Sequence, residues 1–254
     1  MLSAQVTAEL FGVLLLVARY GAAIMLLPGF GEPYVLARWR LLFALGLAVL
    51  TLPVLRPLLP PMPAGVGRLV GLVGGEVLIG LLVGAVARLA LAALHLAGML
   101  IAMQSGLAAA SIFDPAQASA GSLPGSLLST AAIVTLFLLD GHHWLIEALA
   151  RSYTVHAPRD GPALAALVGG LARASGEMVL VGVQIAAPVL VVGFGLNLAL
   201  GLVNRLVPAM QVFFVGVPLQ VLLTLGVVAL GFGAAVDLGL DLLQRGVTGL
   251  VPDG

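Results

Sequence analysis

Asn204-Arg205-Leu-Val-Pro208-Ala-Met210-Gln211-Val-Phe213-Phe-Val-Gly216-Val-Pro218-Leu219 joins two apolar runs, about 178–203 and 206–236. Each run is long enough to cross a bilayer, which takes roughly 20 predominantly apolar residues. Only Asn204 and Arg205 interrupt them, and Pro208 follows at once. Proline has no N–H to donate and its ring clashes inside a helix. Two apolar arms meeting at a short polar break read as a helical hairpin or a discontinuous helix, its tip at 204–214. That reading sets the fold class: an all-α integral membrane protein of hydrophobic helices and helical hairpins, with an irregular central loop.

The composition agrees. Of 254 residues, 61% are hydrophobic and 9% charged, with a mean hydropathy of +1.18. Soluble domains carry about a quarter charged residues, so this chain cannot cover a water-facing surface. Eleven basic residues balance eleven acidic ones, and no basic field invites nucleic acid. With no cysteine, disulfides and thiolate chemistry are excluded. The N-terminus, Met1 to Glu9, lacks the positive region of a cleaved signal peptide, so the first apolar run is expected to persist in the mature protein.

Four further apolar stretches lie at about 10–27, 41–59, 69–103 and 127–146. Pro28 and Pro33 end the first, and the prolines at 53, 57, 60, 61 and 63 end the second. The third exceeds one untilted span and reads as an overlong helix or a helix with a bent continuation. Nothing reads as a soluble domain, so 1–254 is taken as one domain. Arginines fall on both sides of any simple alternation of loops, so the positive-inside rule gives no orientation. Some apolar segments are therefore expected to pack on partner subunits rather than lipid.

One tract departs from this pattern. From Gln104 to Ser126, sixteen of 23 positions are Ser, Ala, Gly or Pro, and Asp114 is the only charge. Irregular backbone at membrane depth is tolerated only where protein covers it or it lines a wet cavity. The tract therefore reads as a movable element inside a pore. Glycines at 106, 121 and 125 supply backbone freedom.

Arg19, Glu76, Arg88 and His95 stand inside apolar runs. Glu76 and Arg88 are more than three helical turns apart and cannot pair within one straight helix. Their partners must come from other segments or chains, either as structural interhelical pairs or as a proton or ion relay. Asp140, His142, His143 and Glu147 form the nearest approach to a metal cluster. The His-Glu-x-x-His order is absent, and Asp-Gly-His at the end of an apolar run reads as a polar turn. No nucleophile elbow or P-loop is present. The reading is therefore a non-enzyme with no catalytic residues, no metal and no cofactor.

Taken in order, these residues resemble the FliR family of flagellar export-gate proteins, related to the SctT proteins of injectisomes. The resemblance runs through Arg19, Pro28, Arg40, Glu76, Gly80, then Gly98-Met-Leu-Ile-Ala-Met-Gln104-Ser105-Gly106 leading to Asp114-Pro115. It continues through Asp140-Gly141-His142, Ala187-Pro188 and Asn197. The stretch from Asn204 to Leu219 is its most specific part. Ala209 and Gln211 depart from the Gln and Asn usual in the family.

The resemblance implies a subunit that assembles with FliP-like and FliQ-like subunits, beside an FlhB-like protein, into a hetero-oligomeric channel. It also implies a place in the bacterial inner membrane at the flagellar basal body, in contact with lipid, with unfolded export substrates passing through. A plug loop maps to 105–122, with Gln104, Ser105, Gly106, Phe113, Asp114, Pro115 and Gly121 as its marked positions. An apolar gasket maps to the tip, at Arg205, Pro208, Met210, Gln211 and Phe213. Small, weakly polar residues suit a plug that must leave cheaply, and methionine packs around varied shapes. From the residues alone, ordinary helix packing is the better reading of Met210 and Phe213; the resemblance favours the gasket. Two other readings stand beside this one: an injectisome export subunit, and a small secondary transporter using Glu76, Arg88 and a discontinuous helix.

Overall fold

The computed structural model describes residues 2–106, 122–158, 164–206 and 212–250, with side chains from 6 in the first helix, 168 in the sixth and 216 in the seventh. The elements are α1 (Leu2–Ile24), α2 (Ala37–Leu55), a 3-10 turn (Arg56–Leu58) and α3 (Val66–Gln104). After them come α4 (Leu123–Leu138), α5 (Gly141–Val155), α6 (Leu164–Leu206) and α7 (Val212–Leu250). The chain is an all-α membrane protein. Five of these helices are long and apolar enough to cross a bilayer.

The breaks follow local chemistry. Between α1 and α2, Pro28 and Pro33 cannot donate, and Gly29 turns the chain at φ 80°. α2 runs through Pro53 to Leu55; proline in the last turn leaves few helical bonds to lose. α3 continues for 39 residues without interruption, so the third apolar stretch is one helix. The fourth stretch differs from a straight span. α4 and α5 meet at 81°, because Asp140 adopts a left-handed backbone at φ 56°, where an α-helix cannot continue.

Contacts divide the chain into two compact units: Met1–Leu89 with Leu136–Ser175 and Leu243–Gly254, and Ala90–Thr135 with Gly176–Leu242. In the first unit, α3 lies very close to α1. A Cβ at Gly80 would meet the Arg19 carbonyl, and one at Gly84 would lie 2.7 Å from the Ala23 carbonyl. Glycines four apart remove side-chain bulk from one face, which lets backbones approach. Just beyond the C-terminal end of α1, Phe30 stacks on Phe43 at 5.2 Å and meets Phe137 at 5.7 Å.

The second unit contains the hairpin. Leu91, Leu94, Ala97 and Ile101 of α3, Leu128 and Ala132 of α4, Ile185, Ala186 and Val189 of α6, and Val236 of α7 form its core. Gly216 of α7 sits against Leu200 of α6, while Val227 and Phe232 pack on the core nearer 185–189. The two arms therefore run antiparallel. α3 and α4 cross backbone to backbone, since a Cβ at Gly98 would fall on Gly125 and Pro124.

Replacing Gly98 by Val should therefore destabilise the purified protein by about 1–3 kcal/mol, the usual cost of overpacking, seen as a lower Tm in detergent. Gly74, with open space around its Cβ position, should accept Ala with no loss, because alanine favours a helix interior over glycine.

Candidate functional site

In the first unit, Arg19 and Glu76 are completely buried and form a bidentate pair. Arg19 Nε donates to Glu76 Oε2 at 2.8 Å and Nη2 to Oε1 at 3.0 Å. The remaining donors are also used: Nη1 reaches Ser152 Oγ at 3.1 Å, and Nη2 reaches the His156 carbonyl at 2.7 Å. The guanidinium carbon stands 3.7 Å from the Tyr153 ring centroid, a cation–π contact in a desolvated place. Tyr153 meets Tyr20 edge-on at 5.9 Å, and Tyr20 Oη lies 3.1 Å from Thr51 Oγ1. The charge pair thus ties α1, α3 and α5 together, and the Tyr20–Thr51 contact adds α2. Burial, and then the nearby Arg19 cation, push the His156 imidazole below its ordinary pKa. It stays neutral, adding no like charge beside the guanidinium.

Arg88 has a different partner. Its Nη1 donates to Glu32 Oε1 at 2.5 Å, and the Glu32 carbonyl accepts from Arg40 at 2.6 Å. Arg40 also holds the Val35 carbonyl at 2.7 Å, so two arginines brace the loop between α1 and α2. The structure does not bring Arg88 to Glu76. In the second unit, His95 Nδ1 lies 3.0 Å from the Leu91 carbonyl and its Nε2 3.4 Å from Ser129 Oγ.

At the Asp140 turn, Asp140, His142 and His143 bring their ligand atoms within 4.8 Å of one another. Asp140 and His143 are 78% and 72% exposed, with 3.7 Å between Oδ1 and Nδ1. The Asp140 side chain makes no cap hydrogen bond to α5, and His142 stacks on Phe137 at 5.0 Å. Glu147 pairs instead with Arg151 at 2.8 Å. The arrangement is that of a polar turn with one face on aromatic rings.

The central tract is described at its two ends, 104–106 and 122–126. Gln104 is the last residue of α3, and Ser105 is fully buried, its hydroxyl donating to the Ala102 carbonyl at 3.1 Å. Gly106 turns the chain at φ 75°, a backbone that glycine adopts at no steric cost. The Gln104 carbonyl accepts from the Gln220 side chain on α7. Phe113, Asp114, Pro115 and Gly121 lie outside the described residues, as do Pro208, Met210 and Gln211. Arg205 is exposed at the end of α6; Phe213 lies in the first turn of α7, its side chain outside those described. Gln220, Ser152 and Tyr153 gave no signal in the sequence, because their roles depend on which helices become neighbours.

Removing one member of the buried pair leaves the other unpaired, which costs about 3–5 kcal/mol. Glu76→Leu and Arg19→Met should each lose roughly that much in a denaturant titration, while the double variant should regain most of it. Equal, additive losses would assign the cost to packing rather than to the pair.

The chain matches the family model described as bacterial export proteins, family 1, over residues 10–246. It is 38% identical to the flagellar biosynthetic protein FliR of Caulobacter vibrioides, over 92% of this chain and 93% of that protein. It is 32% identical to the FliR of Bacillus subtilis, over 84% and 83% of the two chains. A protein of Yersinia pestis, Yop proteins translocation protein T, is 33% identical over 59% and 58%. The chain belongs to the FliR family of bacterial export proteins.

Proposed function

We propose that this chain is a subunit of the type III protein export gate of the flagellum, in the bacterial inner membrane at the basal body. Its partners in this reading are FliP-like and FliQ-like subunits and an FlhB-like protein, with 1–254 acting as one gate domain. Unfolded flagellar proteins are the cargo. The observation that carries the reading is similarity over nearly the whole of both chains to a protein named for flagellar biosynthesis. The injectisome relative covers a smaller share of this chain, which favours the flagellar branch.

The physical features support the same role. α7 buries only 11% of its apolar window within the chain and α6 only 28%, so most of both faces is left for lipid or other subunits. Gln104, Ser105 and Gly106 open the proposed plug loop at a turn anchored to α7. Beyond that turn the tract has one charge, so leaving a closed position has little desolvation cost. At the hairpin tip, Met210 and Phe213 form the proposed gasket, with Arg205, Pro208 and Gln211 shaping it. Apolar constrictions of this kind gate by dewetting. The pairing of Glu76 with Arg19 supports structural bracing over the ion relay that a secondary transporter needs.

Four measurements test this. The chain should co-purify with FliP-like and FliQ-like proteins, and alone in liposomes it should drive no substrate-coupled proton or sodium flux. Deleting most of 105–122 should leave assembly intact but make the closed channel leak ions; an intact barrier rejects the plug. Phe213→Ala should also raise leakage, whereas an effect on assembly yield alone returns Phe213 to helix packing.

A further inference from the structure

From 178 to 204, α6 carries no charged residue, and its hydrophilic side chains are Gln184, Asn197 and Asn204. Asn197 and Asn204 lie on one helical face with Gly193 and Gly201, at spacings of four and three residues. A groove of about 370 Å³ follows this face, lined by Asn197, Asn204, Gly216 and Gln220 among others. One turn before Asn197, the Gln104 carboxamide occupies the space beside Gly193 where a Cβ would stand. Gln220 donates to the Gln104 carbonyl across the same region. Two carboxamides of α6 thus lie on one face of an otherwise apolar stretch, with Gln220 of α7 beside them in the groove and Gln104 of α3 next to Gly193.

Among the described residues, neither Asn197 nor Asn204 has a hydrogen-bond partner, and both are exposed. A bare carboxamide facing hydrocarbon is costly, so this face looks onto something that hydrogen-bonds. We propose that the groove is a binding track for the main chain of an extended, unfolded polypeptide, an inference that rests on the export-gate reading above. A carboxamide carries both a donor and an acceptor, the same pair that every peptide unit presents. It recognises backbone without regard to sequence, which a channel for many different unfolded chains requires. The absence of charge leaves no group to trap acidic or basic cargo. A partner helix fits less well, because its backbone groups are already bonded internally. From Asn197 to Asn204 the track is about 10 Å long at 1.5 Å per residue, enough for roughly three residues of extended chain.

The test uses the assembled complex in native membranes. A photoreactive residue replaces Leu200, which lines the groove without contributing a carboxamide. An export substrate fused to a domain that cannot unfold is then stalled in transit. Illumination should give an adduct between this chain and the stalled substrate; an adduct with another gate subunit only, or none, overturns the track. In parallel, N197L/N204L should slow export about tenfold, the scale of one net hydrogen bond, with complex yield unchanged, while N197Q/N204Q should keep it within about twofold. The opposite order, Leu tolerated and Gln not, makes the groove ordinary packing. If deleting the whole chain leaves export intact, the export-gate reading itself fails. If that deletion abolishes export but the adduct and the Leu effect are missing, only the track fails.

Discussion

A guanidinium and a carboxylate that have both left water govern the first unit of this chain. Each ion alone carries a desolvation cost of several kcal/mol, and a membrane offers no nearby water to repair a misplacement. Arg19 and Glu76 answer that cost only in one geometry: two parallel N–H···O bonds, with Ser152 and the His156 carbonyl taking the remaining donors. The geometry in turn fixes how close α1 and α3 must come. Gly80 and Gly84 permit that approach, and the glycines and the ion pair are therefore parts of one constraint. Neither would hold the helices in register without the other.

The second unit is organised by different means. Its core is aliphatic, its helices cross at glycine rather than at charge, and the groove between its hairpin arms is lined by amides. Polar groups that carry no net charge are cheaper to place at membrane depth than ions. They can also exchange partners without leaving a buried charge unpaired. A unit braced by an ion pair and a unit furnished with amides suit different tasks, rigid placement in one case and reversible contact in the other.

Much of this was readable from residue order. The apolar runs and prolines located the helices, and the short break after Asn204 located the hairpin arms. The distance between Glu76 and Arg88 required partners from elsewhere. The identity of those partners was not readable, since Glu32, Ser152 and the His156 carbonyl reach the arginines only through tertiary packing. The bend at Asp140 was legible as a polar turn, but the 81° angle depends on a left-handed residue that composition does not announce. The proposed gasket residues, by contrast, rest on family resemblance, because apolar residues in an apolar chain carry little information of their own.

The length of α3 has a consequence for where this protein can live. Its 39 residues span about 58 Å at 1.5 Å per residue, while the hydrocarbon layer is about 30 Å thick. Kept straight, such a helix would need a tilt of roughly 60° to hide its full length, beyond the 0–40° seen for membrane helices. Bilayer thickness therefore cannot be what sets its length. Some of its apolar surface has to be sheltered by protein, and the chain's stability is a property of the company it keeps as much as of its own sequence.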